Sequence, residues 1–229
     1  MKKILLASGC SYTTKNYLSH FHEDMKCDWP KWPEILADKL GMDCINVGQS
    51  GAGQEYIYTS IVNNIHRKNI GLVIAGWSRA ARRDYYYQGK GHWQNDIWDE
   101  KGDNNYFIGR SLMFQYSFQQ LCKSLGLKYK QVQIINSYES ATWATGLKDV
   151  WPIARGKLLS RHEHYLQMMK NPLFKLIDDN FIGFPGKELG GFCMQDFMKH
   201  PEDYISDKDW HPNERGHQVI AENIYDRLG

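Results

Sequence analysis

The sequence predicts an α/β protein in which helices cover both faces of a parallel sheet, a three-layer α/β/α fold. Apolar runs of strand length alternate with segments of helical periodicity along the 229 residues, and this alternation is typical of right-handed βαβ units. The first run, residues 4–7, is apolar throughout and is closed by small residues, as in a buried parallel strand. With 42% hydrophobic and 24% charged residues, the chain is expected to form one domain around a substantial core.

The individual elements follow from periodicity and from the residues that bound each run. Strands are predicted at residues 3–8, 43–47, 71–77 and 130–135. Helices are predicted at residues 32–40, 54–68, 111–125 and 214–228, each except the first with an apolar stripe at helical spacing. Two segments interrupt this rhythm: residues 82–110 are predicted to be a long loop or insertion, and residues 136–207 a helical insertion near the functional edge of the sheet. Both are assigned to the same domain, residues 1–229.

Composition and charge exclude several classes of protein. The net charge of +2, without a basic stripe, argues against nucleic-acid binding. No apolar stretch approaches the roughly 18 residues that span a bilayer, and residues 4–7 are too short for the apolar core of about 7–15 residues in a signal peptide, so a soluble, cytoplasmic protein without membrane contact is expected.

Cysteine and histidine spacing favours neither a disulfide framework nor a metal centre. The five cysteines are widely spaced and contain no C-x-x-C pair, which predicts reduced thiols. His162-Glu163-His164 lacks the i, i+4 spacing that places two imidazoles on one helix face. We expect no metal and no cofactor, and the sequence leaves the oligomeric state open.

Candidate functional residues follow the predicted strands, because ligands of open α/β sheets bind outside the carboxyl ends of the strands. Residues 9–13, Gly-Cys-Ser-Tyr-Thr, follow the first strand, and the glycine-rich residues 46–53 follow the second. Residues 76–79 close the third strand, and Asp-Lys-Asp-Trp-His-Pro-Asn at 207–213 precedes the last helix. A serine needs a neighbouring base to become a nucleophile, and an imidazole steadied by a carboxylate supplies one.

In these four stretches the chain resembles the SGNH hydrolases, also called GDSL-type esterases, and in particular variants associated with phage-encoded members. The resemblance implies a flavodoxin-like sheet, Ser11 as nucleophile and His211 as general base. It further implies an oxyanion hole formed by Ser11, Gly51 and Ser78. The chain departs from the family pattern at three positions: Cys10 and Lys208 stand where the family has aspartate, and Ser78 stands where it has asparagine.

The departure at Lys208 leaves two candidates for the acid of the triad. Asp207 and Asp209 flank that position, and in an extended segment both would point to the same face as His211. Asp209 is preferred because it is nearer in sequence, although a tight turn at Lys208 would favour Asp207. Cys10 is predicted to be a buried small residue rather than the nucleophile.

The resemblance implies an esterase, with an O-acyl or O-acetyl ester on a carbohydrate as the favoured substrate. Arg79 and Trp77 are candidate substrate-binding residues, since a guanidinium binds carboxylate or phosphate groups. A solvated helix start is the alternative interpretation of Arg79. The alternative function is a catalytically weak or inactive glycan-binding or structural module, which Ser78 and Lys208 keep open.

Overall fold

A five-stranded parallel sheet forms the centre of the computed structural model, which describes residues 1–87, 92–96, 104–136, 161–186 and 189–229. The strands of the described chain are β1 (Ile4–Ser8), β2 (Asp43–Asn46), β3 (Ile70–Trp77), β4 (Arg83–Tyr87), β5 (His92–Asp96), β6 (Tyr129–Gln133) and β7 (Phe181–Ile182). The helices are α1 (Trp32–Lys39), α2 (Gln54–Val62), α3 (Asn104–Ser124), α4 (Arg161–Lys170) and α5 (Glu214–Tyr225). Three short 3₁₀ helices lie at Pro172–Leu176, Met194–Phe197 and Pro201–Asp203.

The strand order of the main sheet is β2-β1-β3-β6-β7, with all neighbours parallel. The chain therefore moves outward from β1 to β2 and then returns past β1 to β3, which is the flavodoxin-like order with its switch point between β1 and β3. Because both crossovers are right-handed by the general rule, α1 and α2 cover opposite faces. The predicted three-layer α/β fold is confirmed.

The core lies on both faces of β1 and β3. Leu5, Leu6 and Val73 are fully buried, and Leu6 pairs in register with Val73 on one side and with Ile45 on the other. On the faces of the sheet, α1 packs with α5, and α2 packs with α3. Burying one such aliphatic side chain contributes about 1.5–3 kcal/mol, so this layer holds the carboxyl ends of β1 and β3 in place.

The structure differs from the sequence prediction mainly in the insertions. The first contains an antiparallel hairpin, β4–β5, and α3 begins at Asn104 instead of residue 111. In the second, α4, the 3₁₀ helices and the two-residue strand β7 are described. Residues 137–160 lie outside the described chain, as do the side chains of His162, Glu163 and His164. The division into one domain with two insertions stays a prediction.

Two further helices end earlier than predicted. The helix predicted over 54–68 ends at Val62 and continues as turns, and Asn69 adopts a positive φ of 68° before β3 begins. The last helix ends at Tyr225. Within the described ranges, no helix combines the length and apolarity that a membrane crossing requires.

Candidate active site

Ser11 lies in a tight turn that begins directly after β1. The carbonyl oxygen of Cys10 accepts hydrogen bonds from the backbone N–H groups of Thr13 at 2.8 Å and Thr14 at 3.1 Å. The side chain of Thr13 is buried, and its hydroxyl accepts a hydrogen bond from the indole of Trp32 at 3.2 Å. This turn holds Ser11 at the carboxyl end of β1, beside the switch point of the sheet.

His211 and Asp209 lie in the loop before α5. Ile205 donates its backbone N–H to the carbonyl of His211 at 2.9 Å, and Ser206 donates to the carbonyl of Asp209 at 3.1 Å. The side chain of Asn213 caps α5 by accepting a backbone hydrogen bond of 3.0 Å from its first turn. This N-cap fixes the end of the loop that carries the histidine.

The two segments meet in a continuous chain of hydrogen bonds. The Oγ atom of Ser11 lies 2.8 Å from Nε2 of His211, and Nδ1 of His211 lies 2.6 Å from Oδ1 of Asp209. Asp209 is buried, with 1% of its surface exposed, whereas Asp207 and Lys208 are exposed. The structure therefore brings Asp209, and not Asp207, to the imidazole.

Opposing effects set the charge of Asp209. Burial by itself raises the pKa of this carboxyl group, but the hydrogen bonds from His211 and Ser19 and the charge of the imidazole outweigh burial and bring the pKa well below its ordinary value. Asp209 is therefore a carboxylate at neutral pH. In that state it can hold the imidazole in the tautomer that leaves Nε2 free to take a proton from Ser11.

Two side chains that the sequence analysis did not single out complete this corner: Tyr17 and Ser19, in the segment between β1 and α1. The hydroxyl of Tyr17 lies 3.2 Å and 3.1 Å from the two carboxylate oxygens of Asp209 and 2.8 Å from Nδ1 of His211. The hydroxyl of Ser19 donates to Oδ2 of Asp209 at 2.5 Å. Their segment has no secondary-structure period, so no sequence signal pointed to them.

The glycine-rich turn after β2 lies against the serine turn. Gln49 donates its backbone N–H to the carbonyl of Gly9 at 3.0 Å, and the side-chain amide of Asn46 donates to the carbonyl of Thr13 at 2.6 Å. A Cβ atom at Gly48 would come within 2.9 Å of the Thr13 side chain. A glycine at position 48 therefore allows the two turns to approach closely.

The predicted oxyanion residues occupy this turn and the end of β3. Gly51 has a φ of +77°, a conformation that favours glycine. The backbone N–H groups of Ser11 and Gly51 donate to no other residue of the described chain. Ser78 is fully buried, and its hydroxyl donates to the carbonyl of Ala52 at 2.6 Å, where a guanidinium nitrogen of Arg82 also donates at 3.2 Å. A role for Ser78 as a direct oxyanion donor stays a prediction.

A second buried carboxylate, Asp84 at the start of the β4–β5 hairpin, supports the same turn. Its two oxygens accept backbone hydrogen bonds from Gly53 at 2.8 Å and Tyr56 at 2.9 Å, so it caps the start of α2. Burial raises its pKa, and these hydrogen bonds, with the charges of Arg82 and Arg110, offset burial only in part.

The two residues predicted to contact the substrate, Trp77 and Arg79, lie in different environments. Trp77 is fully buried, its indole donates to Gln131 at 2.8 Å, and its ring packs edge-on against Phe118. The prediction that Trp77 binds substrate is therefore wrong: as the last residue of β3 it points into the core under α3. Arg79 is partly buried and follows Ser78 directly, so its predicted substrate contact stays a prediction.

In the described chain, the cysteines form no disulfide and no cluster of side chains is arranged to bind a metal ion. Cys10 is fully buried, as predicted, and all five cysteines are free thiols. Across the described ranges there is no group of three or more His, Cys, Asp or Glu side chains arranged to hold a metal ion.

Comparison with known proteins identifies the fold. No family model and no curated protein sequence matches the chain. Among solved structures, it is similar to the psychrotrophic esterase EstA from Pseudoalteromonas sp. (TM-score 0.54, 11% identity, covering 99% of this chain and 96% of that one). It is also similar to a protein described as a lipolytic member of the G-D-S-L family from Desulfitobacterium hafniense DCB-2 (0.52, 11%, 98% and 99%). A third similar structure is LAE5, an alpha/beta hydrolase enzyme from the metagenome of Lake Arreo, Spain (0.51, 13%, 100% and 95%). The chain has the SGNH hydrolase fold predicted from the resemblance.

Proposed function

We propose that this protein is an SGNH-type serine esterase that cleaves carboxylic esters through an acyl-serine intermediate. The observation that carries the proposal is the unbroken chain of hydrogen bonds from Ser11 through His211 to the buried carboxylate of Asp209, with distances of 2.8 Å and 2.6 Å. This is the arrangement in which a histidine can remove the proton of a serine hydroxyl. The fold shared with an esterase and other hydrolases supports the same chemistry.

In the first half of the reaction, the Oγ atom of Ser11 attacks the acyl carbon while Nε2 of His211 takes the hydroxyl proton. The imidazolium that forms is stabilised by Asp209 through Nδ1–H. The negative charge that develops on the carbonyl oxygen is met by the backbone N–H groups of Ser11 and Gly51, which carry no hydrogen bond to the described chain. Collapse of the tetrahedral species breaks the ester C–O bond, and His211 protonates the leaving alcohol.

In the second half, a water molecule attacks the acyl-serine with His211 again acting as the base. The tetrahedral species releases the carboxylic acid and returns the proton to Ser11. The sequence of steps needs neither a metal nor a cofactor, because the base, the nucleophile and the oxyanion donors all come from the chain.

For the substrate, an O-acyl ester on a carbohydrate is the favoured class. The β4–β5 hairpin begins at Arg83, next to the Asp84 that binds the glycine-rich turn. Its Trp93 packs edge-on against Tyr86 of the hairpin and against Tyr56 of α2. Tyr86 is 56% exposed. Such rings supply rigid apolar faces with a polar edge, which suit the mixed surface of a sugar.

Reaction with a fluorophosphonate probe tests the esterase proposal directly. The wild-type protein should be labelled and should hydrolyse a short-chain aryl ester, and Ser11→Ala should lose both. Cys10→Ala, a change of similar size at the adjacent buried residue, should keep both. Labelling that depends on Cys10 instead of Ser11 would refute the assignment of the nucleophile.

The same measurements separate the esterase from an inactive glycan-binding module. A module would bind an acetylated oligosaccharide without releasing acetate and would leave the probe unreacted. For the esterase, Tyr86→Ala should raise KM for the oligosaccharide and leave turnover of a small aryl ester nearly unchanged. An equal effect on both substrates would contradict a sugar-binding role for the hairpin.

A further inference from the structure

The hydroxyl of Tyr17 contacts both partners of the acid–base pair. It lies 2.8 Å from Nδ1 of His211 and 3.1–3.2 Å from the two carboxylate oxygens of Asp209. A phenol carries one proton and can accept through its oxygen at the same time. Tyr17 can therefore donate to one of these groups while it accepts from the other.

The direction of each hydrogen bond follows from the chemistry of the neighbours. Asp209 is ionised and can only accept, so the phenolic proton points to the carboxylate. If Nε2 of His211 accepts the proton of Ser11, the hydrogen of the neutral imidazole is on Nδ1. That hydrogen then has two acceptors: Oδ1 of Asp209 at 2.6 Å and the phenol oxygen of Tyr17 at 2.8 Å.

We propose that Tyr17 is a positioning residue that bridges His211 and Asp209, with its oxygen accepting from Nδ1–H and its proton donated to the carboxylate. This inference rests on the proposed function, in which His211 is the general base. The bridge gives the imidazolium a second acceptor and restrains the rotation of the ring. The stacked arrangement of the two rings, with centroids 4.3 Å apart at 29°, adds to that restraint.

Four of the titratable groups near His211 and Asp209 are uncharged at neutral pH: Tyr12, Tyr17, Cys27 and His217. Burial raises the pKa of Tyr12, whose ring lies 5.3 Å from that of His211, and it also raises the pKa of Tyr17 and Cys27. Burial, followed by the charge of Lys31, lowers the pKa of His217 to about 3. The carboxylate of Asp209 is therefore the charge in direct contact with His211.

Ser19 provides the contrast that makes the proposal testable. Its hydroxyl donates to Oδ2 of Asp209 and does not contact the imidazole within the described hydrogen bonds. Ser19→Ala removes a donor from the carboxylate, which leaves more negative charge beside the imidazole and should raise the pKa of His211. Tyr17→Phe also removes an acceptor from Nδ1–H, so the imidazolium loses a partner and the pKa of His211 should fall.

The experiment is an NMR pH titration of histidine-labelled protein, with the His211 resonance assigned by its loss in His211→Asn. Tyr17→Phe should lower the pKa of His211 by about half to one pH unit, the size expected for one hydrogen bond. Ser19→Ala should shift it upward. Tyr12→Phe, which removes an equivalent hydroxyl bonded to the carbonyl of Trp210 at 2.6 Å, should leave the titration unchanged.

Kinetics provide the second readout. Tyr17→Phe should lower kcat about tenfold with little change in KM, and the acid limb of its pH profile should move to lower pH with the pKa of His211. If Tyr17→Phe shifts the titration upward as Ser19→Ala does, or leaves it unchanged, the bridge is overturned.

Two safeguards keep the result interpretable. If Tyr17→Phe fails to fold, 3-fluorotyrosine at position 17 keeps the ring and hydroxyl but makes the oxygen a weaker acceptor; it should lower the pKa of His211, and no shift would overturn the bridge. Failure of the proposed function itself would be recognised separately, because the wild-type protein would then not react with the fluorophosphonate probe whatever the titration shows.

Discussion

Two buried carboxylates support the two halves of the site, and their environments act on them in opposite directions. Asp209 accepts hydrogen bonds from His211, Ser19 and Tyr17, and its pKa falls well below the ordinary value. Asp84 accepts two backbone N–H groups at the glycine-rich turn, and its pKa is raised. Burial disfavours the charge of both, and only at Asp209 do the hydrogen bonds and the imidazole charge exceed that cost.

The opposite pKa shifts of the two carboxylates reflect two ways in which the site is built. The half with His211 is assembled from side chains around a fixed negative charge, as a base that must become a cation requires. The half with Gly51 is assembled from backbone groups: both ends of the peptide unit between Ala52 and Gly53 are held, the carbonyl by Ser78 and Arg82 and the N–H by Asp84. Substitutions in the two halves should therefore lower kcat for different reasons: loss of the base in one half and loss of an oxyanion donor in the other.

The largest loss is expected from Asp209→Asn. An asparagine at this position would keep its carbonyl toward the hydroxyls of Ser19 and Tyr17 and turn its amide hydrogens toward Nδ1 of His211. The imidazole would then carry its proton on Nε2 and could not accept one from the serine, so kcat should fall by about 10⁴-fold. Turnover of a short-chain aryl ester measures the effect.

The matched control is Asp207→Asn, which makes the same chemical change two residues away at an exposed position. Its turnover should stay within a few-fold of wild type. Comparable losses in both variants, each verified as folded, would show that the contact between Asp209 and His211 is not what orients the base.

The second effect concerns the backbone half. Gly51→Ala forces a Cβ atom onto a residue with a φ of +77°, which costs about 1–2 kcal/mol and displaces the N–H group proposed to meet the oxyanion. Loss of one such donor typically lowers kcat by about 10²–10³-fold. Measurements of kcat and of the free energy of unfolding separate the two consequences.

Gly41→Ala is the control for backbone strain. Gly41 has a φ of +64° with no atom within 4 Å of its added Cβ, and it lies in the turn after α1. It should lose similar stability and keep its turnover. If both variants lose stability and neither loses turnover, Gly51 does not position an oxyanion donor.

The sequence predicted the parts of the fold and site that depend on local patterns. Periodicity identified β1, β2, β3 and β6, and the order of the motifs placed Ser11, Gly51 and His211 at the same edge of the sheet. The hairpin β4–β5 was missed because neither the tyrosine-rich β4 nor the mostly polar β5 shows a clear alternation of apolar and polar residues.

The contacts that depend on tertiary packing could not be predicted in this way. Tyr17 and Ser19 reach Asp209 across 192 and 190 residues of sequence, from a segment without regular structure. Trp77 was predicted to contact the substrate, but the last residue of a strand can point into either layer, and here it points into the core. Position at a strand end predicts the neighbourhood of a residue and not the direction of its side chain.

Ser78→Ala should lower kcat less than Asp209→Asn or Gly51→Ala does. We expect Ser78 to act by holding the carbonyl of Ala52, which also receives a hydrogen bond from Arg82, so kcat should fall by about tenfold or less. A loss of about 10²–10³-fold would instead identify the hydroxyl as a direct oxyanion donor. Stopped-flow hydrolysis of an aryl ester, with thermal unfolding as the check on folding, distinguishes the two outcomes.

The smallest effect, on the pH dependence of stability, tests the comparison between the carboxylates themselves. The raised pKa of Asp84 means that its contribution to stability is complete below the ordinary value of about 3.8 and is lost as the pH rises through the folded-state value. Asp209 has a lowered pKa, so its contribution is present above about 3.8 and is lost as the pH falls. Each carboxylate can contribute a slope of at most about 1.4 kcal/mol per pH unit.

An uncharged asparagine removes each slope, so the two variants should diverge with pH. Relative to wild type, Asp84→Asn should become more stable as the pH rises from 4 to 7, and Asp209→Asn should become less stable as the pH rises from about 2 to 5. A constant offset from the changed hydrogen bonds does not affect either slope. Urea unfolding at several pH values measures both differences. Slopes of the same sign in the two variants would mean that folding shifts the pKa values of the two carboxylates in the same direction. The proposed difference between the two halves of the site would then be wrong.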